Sequence, residues 1–326
     1  MNKVIRRPLR FAPHYKQVIW GGDRIARYKQ EDVPLANVGE SWEISAVPGR
    51  ESVVVGVPAL EGLTLDALVE TYGEALLGTE VFAKYGKHFP LIVKIIDACH
   101  DLSLQVHPDE ELAQRRHGQH GKTEMWYVLE SNPDARIYCG LSSPFSKDVL
   151  EQSAKDGSIM DYVAAYGSAP RQFYLVPSGT LHSIGAGNLI VEVQNTSDLT
   201  YRIYDFGRKD FDGKPRELHI DEACDAINYA FPHSPSPMAD VFEHSREKVV
   251  ATDCFNVDYL RLDGGEKHTY RHGRRTFAIV MVTEGEAALS YDGQTEALEA
   301  GKTVLMPACI EEFSLQGNAT ALVIYC

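Results

Sequence analysis

Two histidines, a glutamate and a glutamine are placed along this chain in a way that suits a divalent cation. Gln105 and His107 stand two apart in Asp101-Leu-Ser-Leu-Gln-Val-His-Pro108. On a β-strand, residues two apart point to the same face. Glu124 comes next, just before the apolar run 125–129, and His182 closes Pro177-Ser-Gly-Thr-Leu-His182. Two imidazoles, one carboxylate and one amide oxygen make a workable metal shell. With a single negative ligand the ion stays strongly Lewis acidic and can accept a water or substrate oxygen. Gln105 is the weakest donor of the four, and its bland alternative is a hydrogen bond behind a ligand.

Further charged residues interrupt apolar segments. Glu192 sits in Leu189-Ile-Val-Glu-Val-Gln194, ten residues after His182 and ten before Arg202. A carboxylate among apolar neighbours needs a reason to be there. Its ordinary reading is a structural partner for Arg202. Lys94 alternates with apolar residues in Pro90-Leu-Ile-Val-Lys-Ile-Ile96, which also fits the outer face of an edge strand. The segment Arg115-Arg-His-Gly-Gln-His-Gly121 reads as a flexible polar loop and not as a second metal site.

Strands must carry these groups. Short β-like runs bounded by Gly and Pro fill the first sixty residues. Thr64 can cap a helix with Leu65, Leu68, Val69 and Tyr72 on one face and Gly73 as its stop. Helical pattern continues to Tyr85 and defines an insertion over about 60–88. A second helical stretch is expected over 146–167: Ser146 opens it, Asp156-Gly157 breaks it, and Ile159, Tyr162, Val163 and Tyr166 stripe the following helix. Strands are expected at 172–176, 189–194 and 199–204. The last ninety residues read as strands separated by Glu284-Gly285, Asp292-Gly293 and Ala300-Gly301. The boundary between two domains, 1–235 and 236–326, is placed at the Pro-rich Phe231-Pro-His-Ser-Pro-Ser-Pro237.

Composition limits the possible functions. The chain has 326 residues, 44% hydrophobic and 24% charged, as expected of a globular protein with a sizeable core. A net charge of −14 disfavours nucleic acid and anionic membrane as general partners. Six cysteines show no CxxC pairing and read as reduced thiols. No apolar leader and no stretch approaching ~18 apolar residues is present, so a cytoplasmic location is expected.

The ordered set Gln105-Val-His107-Pro, Gly-Lys122-Thr-Glu124-Met-Trp-Tyr, Pro177 to His182 and Tyr201-Arg202 resembles type I phosphomannose isomerase in its short bacterial form. Trp20-Gly-Gly and Gly39-Glu-Ser-Trp-Glu43 fit the same pattern. The resemblance implies a mostly β protein of two cupin (jelly-roll) barrels with helical insertions. It implies one Zn2+ per chain on Gln105, His107, Glu124 and His182, and interconversion of mannose 6-phosphate and fructose 6-phosphate. It puts Arg202 in the active site and Arg208 where a phosphate-binding cation is common. It points to Lys122 and Glu192 as further catalytic groups, and to Lys94, Trp20 and Glu43 as substrate contacts. A monomer or homodimer acting on a small sugar phosphate is expected.

Aldose–ketose isomerisation suits such residues. A base moves a proton between neighbouring carbons through a cis-enediol, and positive charge steadies the developing oxyanion. The proton carrier stays open between a metal-bound water, Glu192 and a lysine. A cupin dioxygenase would instead need a redox metal, and a silent sugar-phosphate sensor would not need a Lewis acid. In the C-terminal part, His268-Thr-Tyr-Arg-His272 looks ligand-like, but Pro307-Ala-Cys-Ile-Glu-Glu312 has no histidine to complete it. That barrel is expected to hold no metal.

Overall fold

The computed structural model describes residues 3–33, 35–230 and 245–326. The site-bearing barrel is built from two antiparallel sheets. Six strands run in the order Phe173–Val176, Glu124–Ser131, Asn188–Asn195, Leu91–Ala98, Val38–Ile44 and His14–Gly22. Five run Tyr201–Tyr204, Leu104–Val106, His182–Ile184, Arg136–Leu141 and Val163–Gly167. Side chains from both sheets meet in one apolar cluster that includes Trp20, Ile96, Trp126, Val128, Cys139, Tyr174 and Ile190. This cluster fills part of the barrel lumen.

The Asn188–Asn195 strand is buried along its whole length because it is central and covered on both faces. Its period-two alternation sends Ile190, Glu192 and Gln194 toward the lumen. Leu189, Val191 and Val193 point the other way. They join a core shared with Tyr259, Ile279, Met281, Leu322 and Ile324 of the C-terminal sheet. The two barrels are thus joined back to back through apolar surface. Leu9 adds a β-bridge to Leu305, and Arg171 an ion pair to Glu284 at 2.5 Å.

In the C-terminal barrel the sheet order is Arg246–Ala251, Asn256–Asp263, Glu312–Tyr325, Ala278–Tyr291, Gln294–Glu299. His268–Arg271 and Thr303–Met306 pair onto its two long strands. Glu284-Gly285 was expected to be a turn, but it lies inside the single strand Ala278–Tyr291. The register shifts there, and Gly285 has φ +71° with no room for a Cβ, which would stand 2.0 Å from the Asn318 carbonyl oxygen. A glycine bulge bends the strand without ending it. Asp292-Gly293 does turn the chain, both residues having positive φ. The expected domain boundary at Phe231–Pro237 lies outside the described residues.

The first insertion forms helices Leu65–Tyr72, Glu74–Leu77 and Thr79–Tyr85, whose buried Leu65, Leu68, Val69, Leu76, Leu77 and Val81 cap the shared core. The second departs from expectation. Helix Lys147–Asp156 ends at Gly157 (φ +82°), but a short 3-10 turn, Ser158–Tyr162, gives way to the strand Val163–Gly167. Of the apolar residues that mimicked a helical stripe, Ile159 and Tyr162 lie in this turn, and Val163 and Tyr166 serve an edge strand that pairs with Arg136–Leu141. The polar stretch from Arg115 is not wholly loop either. Helix Glu110–His117 has its N-terminus capped by Asp109, which accepts from the Leu112 N–H at 2.8 Å, and ends at Gly118. Among the described residues, no helix is long and apolar enough to cross a membrane.

Candidate metal centre and active site

His182, Gln105 and Arg202 lie side by side across three neighbouring strands. Register pairs His182 with Gln105 and Gln105 with Arg202. Cys139 pairs with His182 on its other side. On the opposite sheet, Glu124 opens its strand in register with Gln194 and Val176. The barrel therefore brings together residues far apart in sequence at one end of its lumen.

One ligand atom each from His107, Glu124 and His182 falls within 4.8 Å of the others, and all three residues are buried. The His107 Nδ1 faces the Leu199 carbonyl oxygen at 2.7 Å, and the His182 Nδ1 faces that of Thr180 at 2.8 Å. A carbonyl only accepts, so each Nδ1 carries the proton and each Nε2 turns a lone pair inward. Those Nε2 atoms lie 3.5 Å and 3.3 Å from the Glu124 carboxylate. His107 Nε2 and Glu124 Oε1 are buried without a hydrogen-bond partner, and Glu124 Oε2 has only the Lys122 ammonium beside it. Burial, then Lys122, holds the His107 pKa down at about 3, and burial lowers that of His182. Burial opposes ionisation of Glu124, but the Lys122 ammonium holds it well below the usual carboxylate range. Neutral imidazoles beside an ionised carboxylate, with unsatisfied buried lone pairs, fit a divalent metal. Gln105 meets them with its amide nitrogen, which donates to His182 Nε2 at 3.2 Å, so the amide oxygen expected as a ligand is not the atom that faces His182.

Lys122 Nζ is 2.9 Å from Glu124 Oε2, and its side chain is nearly enclosed. A second charged group lies one row along the lumen. Trp42, Lys94, Glu192, Trp126 and Tyr174 are aligned across five strands. Lys94 Nζ sits 3.0 Å from Glu192 Oε2 and 3.7 Å from Glu40 Oε2. It donates to Gln194 Oε1 at 3.1 Å and lies 4.3 Å from the Trp42 ring centroid. Trp126 Nε1 donates to Glu192 Oε1 at 3.3 Å, and Trp42 Nε1 to Glu40 Oε2 at 2.8 Å. Burial pushes the Lys94 pKa down, but Glu192 and Glu40 outweigh it and raise it. Burial works against Glu40 as well, yet Lys94 and Lys16 pull its pKa to about 2.

Arg202 is partly buried. It donates through Nε to Ser103 Oγ at 3.3 Å and through Nη1 to the Glu217 carbonyl at 2.9 Å. Arg208 lies on the following segment with Nη2 2.6 Å from Asp205 Oδ1. Trp20 is buried in the lumen's apolar cluster, together with Trp126. Glu43 departs from expectation. It is held by Lys29 at 2.7 Å and Ser41 at 2.5 Å, away from the lumen, because alternation puts it on the face opposite Trp42. The glutamate that reaches Lys94 is Glu40, which shares its face with Trp42. Glu40, Gln194, Asp205 and Arg216 were not read from the sequence. Parity with Trp42 and with Glu192 could have revealed the first two.

A model described as phosphomannose isomerase type I, catalytic domain, matches residues 9–135, and a mannose-6-phosphate isomerase cupin-domain model matches residues 245–326. The mannose-6-phosphate isomerase ManA of Bacillus subtilis is 34% identical over 321 residues, 97% of this chain and 98% of that one. A mannose-6-phosphate isomerase of Streptococcus mutans is 33% identical over 95% of this chain and 96% of its own. The crystal structure of the mannose 6-phosphate isomerase from Bacillus subtilis superposes with a TM-score of 0.85 at 32% identity, covering 98% of this chain and 99% of that one. With relatives this similar along nearly its full length, the chain belongs to the type I phosphomannose isomerase family.

Proposed function

We propose that the protein is a zinc-dependent, cytoplasmic aldose–ketose isomerase that interconverts mannose 6-phosphate and fructose 6-phosphate. The observation that carries this reading is the inward-facing cluster of His107, Glu124 and His182 next to a lumen row of buried opposite charges. Gln105 completes the proposed ligand set. Zinc would supply Lewis acidity toward the substrate oxygens.

The chain's own groups divide the remaining work. Lys94 is held protonated between two carboxylates, so it acts as a fixed cation and not as a base. Arg202, in register with Gln105, brings a second positive charge to the side where the oxyanion develops. Glu192 is a lumen carboxylate beside Lys94, and we assign it the carriage of the proton between C1 and C2 at its Oε atoms. Lys122 neutralises Glu124 and adds positive charge beside it. Trp20 and Trp126 close the apolar side of the lumen and keep bulk water away. Arg208 lies on the segment after Arg202 and serves the phosphate.

A coupled assay with mannose 6-phosphate tests the proposal, run before and after chelation with metals restored singly. Turnover that is lost on chelation and restored by zinc supports it. Tight binding of mannose 6-phosphate without turnover would turn the reading into that of a sensor.

A further inference from the structure

Between the strand Tyr201–Tyr204 and the helix Ile220–Ala226, the chain makes an excursion that carries Asp205, Arg208 and Arg216. Asp205 is only 5% exposed. A carboxylate this enclosed needs partners, and it has two. Arg216 grips it in a fork, with Nε 2.8 Å from Oδ2 and Nη2 2.5 Å from Oδ1. Arg208 shares Oδ1 through Nη2 at 2.6 Å, and its other nitrogens reach the carbonyls of Asp205 and Asp101. Burial opposes ionisation of Asp205, but the two guanidiniums lower its pKa, so it stays charged.

Arg202 belongs to the same cluster. Its Nη1 is tied to Glu217, the residue after Arg216, and after burial the strongest influence on its charge is Arg216 itself. Two guanidiniums therefore grip one carboxylate, and Arg202 is anchored on the residue next to Arg216. Two donor nitrogens, Arg202 Nη2 and Arg216 Nη1, make no hydrogen bond within the described residues. Arg216, held in its fork with Nη1 left over, suits an oxygen of a tetrahedral dianion.

We propose that Asp205 is a positioning residue that clamps Arg216 and Arg208 so that Arg216, beside Arg202, receives the phosphate of the sugar substrate. The assignment rests on the isomerase reading for its substrate and on the observed clamp for its geometry. It adds Arg216 as a determinant of specificity for phosphorylated over neutral sugar.

Asp205→Asn separates positioning from charge. It keeps the side-chain shape and makes the cluster more positive. If Asp205 merely tempered the field, KM for mannose 6-phosphate would fall. The clamp predicts instead that KM rises about tenfold or more, with kcat changed by less than about twofold and metal content unchanged. Arg216→Met, which leaves the Arg208–Asp205 pair in place, should raise KM alike, and inorganic phosphate should weaken as a competitive inhibitor in both variants. If Asp205→Asn does not fold, Arg216→Met decides by itself. Unchanged KM and unchanged phosphate inhibition in an active enzyme overturn the proposal. A wild-type protein without isomerase activity overturns the substrate reading alone, because calorimetric binding of inorganic phosphate to wild type and Arg216→Met still reports on the clamp.

Discussion

Lys94 and Glu192 occupy directly opposed positions on neighbouring strands, with Nζ 3.0 Å from Oε2 and under a tenth of either side chain exposed. Such a pair seldom adds net stability, because both ions have left water. Here each charge also has a further partner: Glu40 and Gln194 for the lysine, and the Trp126 N–H for the glutamate. The lumen therefore holds a satisfied polar row next to an apolar plug, an arrangement that serves chemistry more than folding.

Breaking that pair should show its double nature. Glu192→Ala is expected to cost about 3–5 kcal/mol in denaturant unfolding, since it strands a buried ammonium. Glu192→Gln keeps the shape and should cost less, but exchange of the C2 proton of mannose 6-phosphate with solvent deuterium should fall about a hundredfold or more. Exchange at the wild-type rate in Glu192→Gln would remove this residue as the proton carrier.

The metal centre predicts a stoichiometry. Native protein should bind one zinc per chain, because His107, Glu124 and His182 form the one such cluster found among the described residues. His182→Ala should hold far less than one equivalent after dialysis and lose turnover with it. Two equivalents in the native protein, by elemental analysis, would contradict a metal-free second barrel.

Much of this site was legible because its ligands sit in short stretches. Gln105 and His107 are two apart on one strand, and Glu124 opens another. Residues whose place depends on pairing were harder to read. Glu43 was read as a substrate contact, but Glu40 has the parity of Trp42, and alternation turns Glu43 to Lys29. Arg216 meets Asp205 through a loop that no periodicity describes. In the fold, Val163–Gly167 deceived because a 3-10 turn followed by a strand can mimic a helical stripe over a few residues. Glu284-Gly285 deceived because a glycine bulge and a turn have the same composition.

Arg202 should matter to the transition state more than to binding. It is in register with Gln105, and its guanidinium is oriented by Ser103 and Glu217. Arg202→Ala is expected to lower kcat/KM by about a hundredfold or more, with Arg202→Lys recovering only part, because an ammonium cannot fill a forked donor site. Steady-state kinetics decide this, and an unchanged kcat/KM in Arg202→Ala would refute the role.

The second barrel offers a test through pH. His272 is buried against Tyr270, Phe313 and Tyr325, and its Nε2 has no hydrogen-bond partner. Burial, then Arg275 and Arg246, outweigh the nearby Asp258 and lower its pKa from 6.5 to about 4. The unfolded chain therefore takes up this proton at a higher pH than the folded chain. Stability from this group is complete above about pH 6.5, declines as pH falls, and is lost by about pH 4, for a total of about 3 kcal/mol. His272→Phe keeps an aromatic ring in the stack and cannot be protonated. Its unfolding free energy should fall less than that of wild type between pH 7 and pH 4.5, with the gap closing toward neutral pH. Parallel curves for the two proteins would show that His272 is protonated as readily in the fold as in the open chain.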